Sequence, residues 1–318
     1  MPQPPPIPDA IGPYRVRELL GKAGQSTVYR GEDPKGRPVA LKLFPPRLTG
    51  DPATVERFHR ELATVAPITR HPHLVRVLGT GQHGEQLYLA MEMVEGTSLD
   101  RVLKQRRVSL PEAFAVMRGV CRGLAHAHQH GQLHRSLTPR NVLISPDFAT
   151  VKVADLGVSG FESISGQNLT ATLSTGEIRL GALYYLAPEI LEGSAAVDAR
   201  ADLYSAGAIF HEMLTGRSPG PKLGLPSQLN PELPPQVDVV ALRCLARRPD
   251  ERYASANDLL AALERLEETL SLRVLTEIRE AGSLLRGGEG SGKKTLVWIG
   301  LAVLVIALAL AGFFLLRS

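Results

Sequence analysis

The sequence is poor in cysteine, tryptophan and aromatic side chains. Two cysteines, Cys121 and Cys244, stand among 318 residues. That excludes a disulfide scaffold and fits a reducing compartment. Each thiol is expected to pack as a small buried apolar group. Long runs of one charge are also missing: 36 Lys+Arg face 32 Asp+Glu, a net charge of +4. The bases are scattered, so no nucleic-acid partner is expected. The N-terminus, MPQPPPIPDA, has no apolar stretch and does not read as a signal peptide. Its proline content predicts a flexible leader over residues 1–12. With 21% charged and 44% hydrophobic residues, wholesale disorder is excluded and there is ample core for one large domain or two ordinary ones.

One long hydrophobic run is present. Residues 295–316 read TLVWIGLAVLVIALALAGFFLL, without a charge. At about 1.5 Å per residue this run reaches about 33 Å, enough to cross a bilayer core. A buried core helix rarely runs so long without a polar face. Lys293 and Lys294 flank its N-terminal side, with Arg286 upstream. The positive-inside rule then puts the N-terminal bulk in the cytoplasm, on a single-pass anchor in the inner or plasma membrane. Only Arg317 and Ser318 follow the run. No external sensor domain is expected, and signals would arrive from the cytoplasm or from a membrane partner.

Between leader and anchor the patterning is mixed. Short apolar or alternating runs at 14–20, 27–31, 38–44, 74–79 and 86–91 predict strands. A helix is predicted over 52–65, with Val55, Phe58, Leu62 and Val65 on one face. Further helices are predicted over 110–130, 199–215, 237–246 and 255–270. A sheet-rich lobe followed by a larger helical one is a bilobal α+β plan, expected over residues 13–268. Residues 269–294 form a juxtamembrane helix and glycine-rich linker. Leu263, Leu266, Leu270, Val274 and Ile278 make one apolar stripe. That stripe suits a helix packed on its own domain, or a short coiled coil that pairs two anchored copies through residues 265–286. The linker GGEGSGKK has a superficial phosphate-loop look, but Lys294 stands where Ser or Thr is needed and no strand precedes it. It reads as a tether.

The chemistry lies in an ordered series of motifs. Leu20-Gly21-Lys22-Ala23-Gly24-Gln25-Ser26-Thr27-Val28 is a strand–turn–strand whose glycines let backbone N–H groups approach phosphates. Val39-Ala40-Leu41-Lys42 sets a lysine in an apolar strand, costly unless paired, and Glu61 in the following helix is a candidate partner. Then come His134-Arg135-Ser136-Leu137-Thr138-Pro139-Arg140-Asn141, Val153-Ala154-Asp155-Leu156-Gly157, Ala187-Pro188-Glu189, Asp202 and Arg252.

In this order the sequence resembles the eukaryotic-type protein kinase family, in its bacterial serine/threonine branch. The resemblance implies a bilobal protein-kinase fold that binds ATP and Mg²⁺. Lys42 would hold the ATP phosphates and Glu61 would orient it. Asn141 and Asp155 would hold Mg²⁺. Met91 would be the gatekeeper, and Glu92 to Val94 the hinge that meets adenine; Gly21, Gly24, Val28 and Ala40 complete the nucleotide set. His134, Asp202 and the Glu189–Arg252 pair would be internal scaffolding. His126, His128 and His130 would lie on the ordinary helix before the catalytic loop rather than on a metal.

The departures from the family are concentrated. Ser136 stands where the catalytic aspartate accepts the substrate hydroxyl's proton. Thr138 replaces the lysine that contacts the γ-phosphate, and Ala182 after Gly181 replaces a threonine bonded to both. Ala23 and Ser26 replace glycines of the turn. The helix expected between Gly216 and Leu233 is short or missing. Three changes at one contact point predict a pseudokinase, which binds ATP and acts as a scaffold or allosteric regulator for a cytoplasmic signalling protein or an active kinase. The alternative is an active serine/threonine kinase with a non-standard loop. A third reading is another transfer chemistry, such as nucleotidylation. Ser163, Ser165, Thr170, Thr172, Ser174 and Thr175 could take a phosphate that Arg135 would pair.

Overall fold

The computed structural model describes residues 7–23, 25–158, 180–194 and 196–287. The chain divides after Leu260 into two units, Met1–Leu260 and Ala261–Ser318. The first holds both lobes.

Alternating apolar runs separated by turn residues build the first lobe. Its strands are β1 (Ala10–Ile11), β2 (Tyr14–Ala23), β3 (Ser26–Glu32), β4 (Pro38–Leu43), β5 (Val77–His83) and β6 (Gln86–Glu92). They form an antiparallel sheet in the order β1-β2-β3-β4-β6-β5. Asp33 closes the β3–β4 hairpin by accepting from the backbone N–H of Lys35 and of Arg37, each at 2.9 Å. Composition placed Ala10 and Ile11 in the flexible leader; they pair with β2 instead, and Ile11 is fully buried. The run 74–79 is also divided. The strand starts at Val77 because residues 73–75 bond to Val153 outside this sheet, with Val75 N donating to Val153 O at 2.8 Å and Val153 N to His73 O at 2.9 Å.

Helix α1 (Pro52–Ile68) starts where Asp51 caps Ala53 N and Thr54 N at 3.1 Å, with Pro52 preset for the first turn. Phe58, Leu62, Val65 and Ile68 form its buried face. Phe58 and Leu62 join Phe44, Leu87, Leu89 and Met91 in a core on one face of the sheet. Val39, Leu41, Leu43, Tyr88 and Ala90 fill the other. This is the period-two alternation of a sheet covered on both faces.

The second lobe is mainly helical. It opens with β7 (Thr97–Ser98), α2 (Leu99–Gln105) and α3 (Leu110–Gln129), the last started by a Ser109–Glu112 capping box. β8 (Val142–Ile144) and β9 (Val151–Val153) pair with β7 in a small sheet. Then come α4 (Leu180–Leu183), α5 (Pro188–Leu191), α6 (Arg200–Thr215), α7 (Pro226–Leu229) and α8 (Gln236–Cys244); α9 (Ala256–Gly287) starts in this lobe, and its residues past Leu260 belong to the second unit. α6 is buried from Ala201 to Thr215 except at Tyr204. Between Gly216 and Leu233 stands the single turn α7, in line with the short helix expected there. α3 seats the 71–74 loop closely, because a Cβ on Gly123 would lie 2.7 Å from His73 O. Cys121 and Cys244 are free and buried, and burial pushes the Cys244 thiol up to about 12. No helix of the described residues is long and apolar enough to cross a membrane; the run 295–316 lies outside them.

Candidate functional site

Strand register brings four of the expected nucleotide residues onto one face of the sheet. Val28 lies opposite Lys42, Lys42 opposite Leu89, and Ala40 opposite Met91. Val28, Ala40, Lys42 and Met91 therefore share one face of the sheet. Lys42 is 1% exposed, and its Nζ lies 3.0 Å from Asp155 Oδ2. A buried ammonium needs such a counter-charge. Glu61 does not supply it: its carboxylate is exposed and lies 3.8 Å from Arg57 Nε on the same helix. The reason is phase. Leu62 belongs to the buried stripe of α1, and the residue before it is turned about 100° toward solvent.

Asp155 sits at φ +64°, a left-handed conformation rarely adopted by residues other than glycine. The segment around it holds it there. Ala154 N donates to Asn141 O at 2.7 Å, and Leu156 and Val158 are buried. Gly157 follows at φ +78°, and a Cβ there would stand 2.7 Å from Val65 Cγ2 of α1. Glycine is needed for both conformation and space.

The loop carrying Ser136 hangs from a buried carboxylate. Asp202 accepts from His134 N at 2.8 Å, Arg135 N at 2.7 Å and His128 Nε2 at 2.8 Å. Burial alone would raise its pKa, but the bond from His128 and the nearby imidazoles hold the carboxyl below its ordinary range. His134 Nε2 donates to Ala154 O at 2.9 Å, tying this loop to the segment that carries Asp155. Ser136 is half-buried.

Thr138 is tied to a predicted cation ligand. Its backbone N and its Oγ1 donate to Asn141 Oδ1 at 3.1 and 2.9 Å. Asn141 Nδ2 donates in turn to Asp155 Oδ2 at 3.0 Å. Thr138, Asn141, Asp155 and Lys42 thus form one chain of contacts. Expected as a Mg²⁺ ligand, Asn141 turns its amide nitrogen rather than its oxygen toward Asp155. The threonine donors draw the oxygen the other way.

The expected hinge is also fastened by side chains. Glu92 Oε1 accepts from Lys152 Nζ of β9 at 2.7 Å and from Arg76 N at 3.0 Å. Val94 is packed against the core that holds Met91. Gly21 lies in β2 opposite Val28, while Gly24 and the residues 163–175 lie outside the described residues. Arg101 of α2 reaches across, its Nη2 donating to Leu20 O at 3.1 Å. Sequence reading missed Arg101 and Lys152, because each contact joins positions far apart in the chain. Deeper in the second lobe, Arg252 grips Glu189 through Nη1 at 2.6 Å and Nη2 at 2.8 Å. Tyr185 donates to Glu212, which also accepts from Ser218 Oγ at 2.8 Å. His126 stacks on His71 at 4.5 Å and lies 4.6 Å from His130, with His126 Nε2 donating to Ile68 O at 3.1 Å. Among the described residues no group of His, Cys, Asp or Glu is arranged to hold a metal.

Known proteins bear on this arrangement. Residues 14–263 match the protein kinase domain family model. The chain is 38% identical over 276 residues to the serine/threonine-protein kinase PknL of Mycobacterium tuberculosis, covering 81% of this chain and 67% of PknL. It is 34% identical over 275 residues to PknB of Mycolicibacterium smegmatis, covering 80% of this chain and 43% of PknB. The chain thus spans less than half of PknB's length and about two thirds of PknL's. The crystal structure of the Mycobacterium tuberculosis PknI kinase domain superposes with a TM-score of 0.65 at 27% identity, covering 80% of this chain and 96% of that one. Fold, motif order and similarity agree, and the chain belongs to the protein kinase domain family, with bacterial serine/threonine kinases among its relatives.

Proposed function

We propose that the protein is a membrane-anchored pseudokinase, which binds ATP in the interlobe cleft and has lost practical phosphotransfer. The observation that carries this reading is Ser136. A hydroxyl is neutral near pH 7 and cannot take the substrate proton as a carboxylate does. Loss of a general base costs about 10²–10⁴ in rate, against about 1–100 turnovers per second for kinases. Ser136 alone would leave a slow enzyme. Thr138 also lacks the cationic charge expected at the γ-phosphate, a further loss of about 3 kcal/mol by analogy with other transition-state donors. Ala182 removes the third member of that cluster.

Nucleotide binding is supported by the shared face of Val28, Ala40, Lys42 and Met91 and by the Lys42–Asp155 pair. ATP would bias the lobes between open and closed states, and a partner would read that state. The partner is a cytoplasmic signalling protein or an active kinase. The run 295–316 anchors the chain, with the kinase-like domain on the cytoplasmic side. Pairing of two anchored copies through residues 265–286 is supported by α9, whose backbone stays helical to Gly287.

The test is a pair of assays on the full chain in detergent. ATP should raise the melting temperature, and Lys42→Met should abolish that rise. γ-Phosphate transfer to the chain itself or to a basic protein should stay at the level of the Lys42→Met control. Transfer that Lys42→Met abolishes would restore the active-kinase reading, the one favoured by the names of the relatives. Absence of any melting shift would remove the nucleotide from the proposal.

A further inference from the structure

We infer that Thr138 withdraws Asn141 from cation binding, so that the cleft takes a nucleoside triphosphate without help from a divalent cation. The inference rests on the nucleotide-binding reading above. Mg²⁺ takes oxygen ligands, and an asparagine side chain offers one, its amide oxygen. In this chain Asn141 Oδ1 accepts from Thr138 N at 3.1 Å and from Thr138 Oγ1 at 2.9 Å. Two donors fill its two lone pairs. The face of the amide that meets Asp155 is an N–H donor, at 3.0 Å from Oδ2.

The opposite amide orientation is disfavoured where no cation lies between Asn141 and Asp155. It would set an NH₂ against the Thr138 N–H and an oxygen against the Asp155 carboxylate, losing bonds at both ends. Asp155 Oδ2 also faces Lys42 Nζ at 3.0 Å. An ammonium and an amide N–H therefore already satisfy the carboxylate oxygen that a cation would use. The donor set fits Mg²⁺ poorly as arranged: the backbone N–H of residue 138 would be there with any residue but proline, and the second donor, Oγ1, comes from a residue that this chain has in place of the family's lysine. A threonine can bond to Asn141 across one turn; a lysine side chain carries no hydroxyl at that place.

The triphosphate still needs positive charge. Lys42 supplies one. Arg101 supplies a second at the glycine turn, bonded to Leu20 O at 3.1 Å and with Nη2 3.3 Å from where a Cβ on Gly21 would stand. Both are fixed charges, present without metal.

The experiment is calorimetric titration of ATP into the full chain in detergent, once with EDTA and once with MgCl₂. Wild type should bind with dissociation constants that agree within about threefold, well under 1.4 kcal/mol. Thr138→Val keeps the shape and deletes the Oγ1 donor; it should bind about tenfold more tightly with Mg²⁺ than with EDTA. Thr138→Ser keeps the donor and should behave as wild type. Binding by wild type that is about tenfold or more tighter with Mg²⁺ overturns the inference, whether or not Thr138→Val folds. A folded Thr138→Val that stays indifferent to Mg²⁺ overturns the role of Thr138. Binding under neither condition overturns the nucleotide-site reading itself, and the inference with it.

Discussion

By the family resemblance, Ser136 stands where a carboxylate is expected, and Thr138 and Ala182 depart from the expected pattern as well. The backbone that presents this position is intact, because Asp202 still holds His134 N and Arg135 N. On the proposed reading, scaffold and chemistry separate at the level of single residues. The scaffold's own buried charges remain demanding. Arg252 is fully buried and grips Glu189 at 2.6 and 2.8 Å. Removing one partner of such a pair leaves an uncompensated charge, at a cost of about 3–5 kcal/mol. Glu189→Gln should lower the unfolding free energy by about 3 kcal/mol, the amide keeping part of the hydrogen bonding. Urea denaturation followed by circular dichroism measures this; a loss below about 0.5 kcal/mol, the range of an ordinary surface change, would contradict a structural role for the pair.

At the scale of elements, the loop between α1 and β5 is seated on α3 by a histidine stack. His71 lies on His126 with ring centroids 4.5 Å apart and accepts from His73 N at 3.2 Å through Nδ1. Burial, His126, His73 and Lys152 lower the His71 pKa to about 4. In the unfolded chain it would titrate near 6.5. Between these values the unfolded state takes up a proton that the folded state refuses, so stability falls as pH drops from about 6.5 toward 4. His71→Asn should flatten this fall in a melting-temperature series from pH 7.5 to 4.5. Equal slopes for variant and wild type would contradict it.

The same scale shows what the sequence made legible. Long periodic segments were readable: the stripe Phe58, Leu62, Val65 is the buried face of α1, and α3 and α6 follow their predicted spans within a residue or so. Short elements were not. β7 and β8 are held by pairing with distant segments, and two or three residues carry no period; the strand at Val151–Val153 was readable only through the motif that ends at Asp155. Glu61 was a natural partner for Lys42 by motif, yet the phase of α1 turns it out to Arg57. The candidate residues were readable from the order of motifs, but the direction of the Asn141 amide was not. It depends on hydrogen bonds that spacing alone does not specify.

On the proposed reading, the whole molecule is a kinase fold kept for shape, with its catalytic cluster changed at Ser136, Thr138 and Ala182, on a chain with an apolar run at 295–316. Such a protein would act through who binds it and in which lobe state, rather than through turnover. The most direct measurement is γ-phosphate transfer by wild type beside Ser136→Asp/Thr138→Lys/Ala182→Thr, each with a Lys42→Met control. The account predicts wild type at its control level and transfer by the triple variant above its own control by about 10²-fold or more, the scale of a restored general base. Wild-type transfer at about 1 per second, abolished by Lys42→Met, would contradict it.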